Sequence, residues 1–191
     1  GLMNLVDNED AVEFKNYVIA LGKTAKLHGA PVVLTTSAED GPNGPLLPDL
    51  KAMFPQAPYI ARPGQINAWE NSDFVDAIRK TGRKNIIMSG ITTDVCVAFA
   101  TLSALDAGYN VYVVVDASGT MNDAVQEAAI IRMADAGAII GNWFAISCEL
   151  LWDWRNPTGP GSAELFKEHL PSYAEIVSSH SARSGDSSGT R

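Results

Sequence analysis

The chain has 191 residues, 46% of them hydrophobic and 19% charged, with a formal net charge of −8. That length and balance support one packed domain and exclude a disordered chain. The acidic excess, with no compensating basic stripe, argues against nucleic-acid and anionic-membrane partners. No apolar run reaches the roughly 18–20 residues needed to span a bilayer. Gly1 to Asp10 shows no basic segment followed by an apolar one, so no secretory leader is read there. The two cysteines, Cys96 and Cys148, lack metal-knuckle spacing, and His28, His169 and His180 are scattered. A reducing, cytoplasmic setting is expected.

Asn8 to Leu27 carries Val12, Phe14, Val18, Ile19, Leu21 and Leu27 at mixed three- and four-residue steps, which predicts an amphipathic helix stopped at Gly29. Pro31 to Ser37 is a β-branched run and reads as a buried strand. Glu39 to Pro45 is dense in turn residues and reads as a loop. A short helix over Pro48 to Met53, a brief strand near Tyr59 to Ala61, a loop from Arg62 to Trp69 and a helix from Ser72 to Lys80 follow. Asn85 to Gly90 reads as a strand, about Asp94 to Ala107 as a helix, and Val111 to Ser118 as a strand. Asn122 to Ala136 reads as a helix and Gly137 to Gly141 as a strand. Strand and helix alternate, and the strands are unbroken apolar runs. Such strands are buried on both faces, which predicts a three-layer α/β domain with a parallel sheet between helices. From about residue 150, Trp152 and Trp154 open a helical extension, and Ser178 to Arg191 reads as a frayed tail.

In open parallel sheets, ligands bind beyond the carboxyl ends of the strands. Three loops lie there: the one after Ser37, the one holding Arg62, and the turn Gly90-Ile-Thr-Thr-Asp-Val-Cys96. The turn puts a cysteine at the head of a helix that follows a central strand. Unpaired N–H groups and the helix dipole favour an anion at such a place, as a thiolate nucleophile requires. The same position also suits a small apolar core residue, so the local sequence leaves both readings open. Cys148, in an apolar helical stretch, reads as core. Asp94 should project about 200° around a helix from Cys96 and is a poor base for its thiol. Asp116 reads as a turn or helix-capping residue. Glu39 is a candidate substrate contact. Asn67 and Trp69 are candidate pocket residues, whereas Trp152 and Trp154 read as packing for the extension.

Gly90 to Val97, Gly-Ile-Thr-Thr-Asp-Val-Cys-Val, resembles the nucleophile motif of the isochorismatase-like cysteine hydrolases, which include nicotinamidases. Further segments resemble its YcaC-type octameric branch: Phe14 to Asn16, Gly41 to Pro45, Ala61 to Trp69, Asp116 to Thr120 and Asp153 to Asn156. The resemblance covers the chain to Val177, making residues 1–177 one isochorismatase-like domain with its extension.

The resemblance implies a Cys–Asp–cation triad with Cys96 as nucleophile and Arg62 where most of the family carries lysine. Arginine supplies fixed charge and a fork of donors but moves no proton. It also implies an oxyanion hole from the Thr92 and Cys96 backbone N–H groups, a cis peptide between Ile91 and Thr92, and neither metal nor cofactor. The family's aspartate stands on a first strand, and ungapped matching places Gly1 beyond it. That strand is therefore expected to be missing from these residues, with Asp7 a capping or surface carboxylate. The implied reaction is hydrolysis of a small amide-like C–N bond through a thioester, in a homo-oligomer, with an octamer implied. Cleavage of a non-amide bond such as a vinyl ether, or a catalytically impaired binding or scaffold role, stays open. A nucleotide-binding domain is disfavoured, because no glycine-rich phosphate loop follows any strand.

Overall fold

The computed structural model describes residues 1–186. After a short 3₁₀ turn, helix α1 spans Ala11–Leu27. Its cap is Asp10, whose carboxylate accepts the Val12 and Glu13 N–H groups at 2.9 and 3.0 Å. Strand β1 (Leu34–Ser37) lies parallel to β2 (Tyr59–Arg62), with α2 (Pro48–Met53) between them in sequence. β1 starts three residues later than the apolar run, because its partner strand begins at Tyr59, opposite Leu34. Helix α3 (Ser72–Lys80) leads to β3 (Asn85–Met88), a five-residue π-helical turn over Thr93–Val97, and α4 (Ala98–Asp106). Strand β4 (Asn110–Val114), α5 (Asp123–Asp135) and β5 (Ile139–Gly141) complete the alternation, and β3, β4 and β5 form a parallel set in that order. The amide oxygens of Asn71, Asn122 and Asn142 cap α3, α5 and the next helix.

The expected single sheet is divided, among the described residues, into a two-stranded and a three-stranded block. No described strand bridges them; packing does. Ala68, Phe74 and Ala100 form a buried cluster that gathers Val33 and Ile60 of one block with Met88 of the other. Helices cover both faces. On one, α1 and the extension pack against Tyr112 and Val114; on the other, α4 and α5 pack against Val111 and Val113. The alternation along β4 is the two-residue period of a strand buried on both sides.

Helix α6 (Trp143–Leu151) follows β5, and the extension beyond it forms α7 (Gly159–His169) and α8 (Pro171–Asp186). The frayed tail expected from Ser178 is corrected over its first part: α8 continues through Ser178 to Asp186, while residues 187–191 lie outside the described ones. Much of the extension folds back on its own chain. Phe166 is fully buried between Trp143, Phe144, Trp154 and Tyr173. His169 and Asn16 lock α7 to α1: Asn16 donates to the His169 carbonyl, and its amide oxygen meets Nδ1 at 2.6 Å. Burial lowers the His169 pKa from its ordinary value.

Candidate active site

Cys96 lies one residue before the end of the π-helical turn. The turn is wider than an α-helical one because Val97 N–H reaches back five residues to the Thr92 carbonyl, at 3.1 Å. π-turns of this kind occur mostly as single insertions, often at functional sites. The Ile91–Thr92 peptide bond that leads into it is cis. Thr92 and Thr93 are buried, and Cys96 is partly accessible.

Arg62 ends β2 with its side chain only 5% exposed. Its Nε donates to Thr35 Oγ1 at 3.0 Å, and Nη1 donates to the carbonyls of Ile66, at 3.0 Å, and Gln65. Among the described residues, no carboxylate forms an ion pair with it. Burial lowers the Arg62 pKa from its ordinary value, and the pull of Cys96 acts in the opposite direction. The fold thus brings cation and thiol within electrostatic reach, although they belong to different sheet blocks. Arg62 Nη2 takes part in none of these bonds.

The other residues from the sequence reading have partners of their own. Glu39 accepts hydrogen bonds from Thr36, at 2.6 Å, and from Tyr59, and these hold its carboxyl below the usual range. The Asn67 amide oxygen caps the 3₁₀ turn at Trp69 N–H while its nitrogen donates to Ser103 on α4, at 2.9 Å. Trp69 packs edge-on to Phe74 and Tyr109. Trp69 also packs against the cluster that holds Val97 and Ala98, next to Cys96. Asp116 accepts the Trp143 N–H at 2.9 Å, the first N–H of the helix that Asn142 caps, and burial raises its pKa. Asp7 is exposed and does not cap α1. Cys148 packs against the α1–α6–α7 core, and burial raises its thiol pKa.

Two residues at the site were not singled out from the sequence. Thr35 holds the Arg62 guanidinium, and the signal was the hydroxyl run Thr35, Thr36 and Ser37 that ends the strand. Thr120 donates to Asp94 at 2.7 Å. Two open hollows lie away from the thiol. One of about 360 Å³ lies between Asp94 and the α5 residues Val125, Ala128, Ala129 and Arg132. The other, about 240 Å³, lies between α1 and α7. The chemistry of the Cys96 turn, not the volume of a hollow, locates the candidate site.

A parallel α/β frame with a cysteine at the head of the helix after β3 is the architecture of the isochorismatase-like hydrolases. The chain belongs to that family: the Isochorismatase domain model matches residues 4–143. It is 52% identical over 180 residues to "Probable hydrolase YcaC" of Escherichia coli (strain K12), covering 94% of this chain and 86% of the relative. The crystal structure of that Escherichia coli product, described as an octameric hydrolase of unknown specificity, superposes with a TM-score of 0.92 over 95% of this chain and 88% of the other. YcaC from Pseudomonas aeruginosa, described with hexane-2,5-diol and covalent acrylamide, is 56% identical with a TM-score of 0.92, covering 95% and 89% of the two chains. This chain is accordingly an isochorismatase-like hydrolase. No described helix is long and apolar enough to cross a membrane.

Proposed function

We propose that the protein is a cysteine hydrolase that opens a small amide-like or related C–N bond through a covalent thioester at Cys96. The observation that carries this reading is Arg62: a buried guanidinium with no carboxylate partner among the described residues, whose electrostatic neighbour is the Cys96 thiol. A buried charge without a counter-ion is costly, and such groups concentrate at functional sites. The thiolate sulfur attacks the carbonyl carbon, and the Thr92 and Cys96 N–H groups hold the oxyanion. The C–N bond then breaks, and the amine leaves with the proton that the thiol gave up. Water next attacks the thioester, releasing the acid and restoring the thiol. The family resemblance assigns the proton transfer to an aspartate; Asp94 does not suit that task, because its carboxylate is engaged by Thr120.

Acrylamide, which adds to thiolates, is the direct probe, and the covalent acrylamide described for the Pseudomonas aeruginosa relative supports its use. Incubation of native protein near neutral pH followed by peptide mapping should find Cys96 labelled well before Cys148, whose burial disfavours its thiolate. Preferential labelling of Cys148 would sink the reading.

The substrate is a small molecule, and the acidic surface disfavours nucleic acid. Two free cysteines suit a reducing, cytoplasmic setting. The protein works as a homo-oligomer in this reading, with the octamer of its Escherichia coli relative as the model. Support comes from Trp152, which is 87% exposed in a tight turn at φ +62°, closed by Asp153 N–H donating to the Leu151 carbonyl at 2.7 Å. A bulky residue at positive φ is strained, and an indole presented this way suits an interface anchor. Sedimentation should show an assembly for the full-length protein and dissociation at higher concentration for Trp152→Ala. A monomeric wild type defeats the assembly, and an unchanged variant defeats the role of Trp152.

A further inference from the structure

The segment after β4 grips the nucleophile turn at three points. Thr93 N–H donates to the Gly119 carbonyl at 3.1 Å, Thr120 Oγ1 donates to the Asp94 carboxylate at 2.7 Å, and Ile91 bridges Gly119. Thr120 is itself fixed from behind: its N–H donates to Asn8 Oδ1 at 2.8 Å, and its carbonyl accepts from Asp7 N–H at 3.0 Å. Its side chain is completely buried, so the hydroxyl has no water to turn to. Asp94 stands two residues before Cys96 in the π-helical turn.

We propose that Thr120 and Asp94 are positioning residues that latch the nucleophile turn and set where the Cys96 thiol sits relative to Arg62 and the turn's N–H groups. The proposal rests on the nucleophile reading above. Loss of the latch lets the turn relax toward ordinary α-helical winding, which rotates Cys96 about the helix axis. A displacement of about 1 Å at a reacting group is enough to cost a large factor in rate. The hydrogen bond to a carboxylate is of the stronger, charge-assisted kind, which suits it to hold such a turn. Asn8 ties the latch to the start of α1 and, through Gln126, to α5.

The test is the rate of acrylamide addition at Cys96 in full-length protein, with Cys148 of the same chain as internal reference. Thr120→Val keeps the shape and removes the donor; Asp94→Ala removes the acceptor at a partly exposed site; Thr120→Ser keeps the hydroxyl. The expected result is a fall of about tenfold in the Cys96-to-Cys148 ratio for Thr120→Val and Asp94→Ala, with Thr120→Ser restoring it to within about twofold. Wild-type ratios in Thr120→Val or Asp94→Ala overturn the latch. If Thr120→Val does not fold, Asp94→Ala decides alone. Wild-type protein that labels first at Cys148 refutes the nucleophile reading instead, and so separates the two failures.

Discussion

Cys96→Ala should abolish hydrolysis of whatever amide-type substrate the protein accepts, a loss on the order of 10³-fold or more, because no second nucleophile can form the thioester. The fold should survive. Cys96 is partly accessible and lies outside the three buried clusters, and alanine is tolerated in helical turns. A screen of small primary amides against wild type and variant, with thermal unfolding of both, measures the two effects together. Comparable turnover in the variant would mean that the thiol is a bystander. Loss of activity with a collapsed melting transition would instead assign Cys96 to the core, as the alternative sequence reading had it.

Arg62→Met should weaken both catalysis and stability. The substitution removes the donors to Thr35, Gln65 and Ile66, although Thr35 Oγ1 still donates to the Ile60 carbonyl and the Gln65 carbonyl still accepts from Ser37. What is lost is the set of hydrogen bonds to a charged group, each contributing roughly 1.5–3 kcal/mol, with the remaining partners and water entry recovering much of it, so a net loss of about 1–3 kcal/mol is expected. Arg62→Lys keeps the charge but not the planar fork, and should lose less activity than stability. Denaturant titration and turnover of the three proteins separate the roles. Wild-type activity in Arg62→Met would remove the cation from the mechanism.

Most of the frame was legible because its signals are local. The boundaries of α2 and α3 follow from Pro48 and Ser72, and β4 follows from the unbroken run around Val111 to Val114. The Cys96 turn was legible as a helix head, but its π winding was not, since one inserted residue leaves no mark on hydrophobic periodicity. Glu39, Asn67 and Trp69 sat on loops at the correct end of the sheet, and loop position says nothing of where a side chain finds its partner. Asn67 illustrates the difficulty: its bond to Ser103 spans 36 residues, and no local pattern encodes it. The latch from Thr120 to Asp94 crosses 26 residues and was hidden for the same reason. In the extension, the aromatic content was plain, but its division was not. Phe166 turns inward to Trp143, while Trp152 turns outward on a backbone that sequence gave no reason to expect.

The division of the sheet carries a consequence for how this site is tuned. Arg62 ends a strand of one block, and Cys96 follows the first strand of the other. The gap between cation and thiol is therefore measured across a seam, where side-chain packing is deformable, and not along a hydrogen-bonded ladder, where spacing is fixed at about 4.8 Å per strand. The apolar contacts of Val33, Ile60 and Met88 act as shims in that seam. Trimming or enlarging one of them shifts Arg62 and Cys96 relative to each other while leaving each block's internal ladder intact. In the proposed reading, reactivity at Cys96 is then adjustable from positions other than Arg62 and Cys96 themselves.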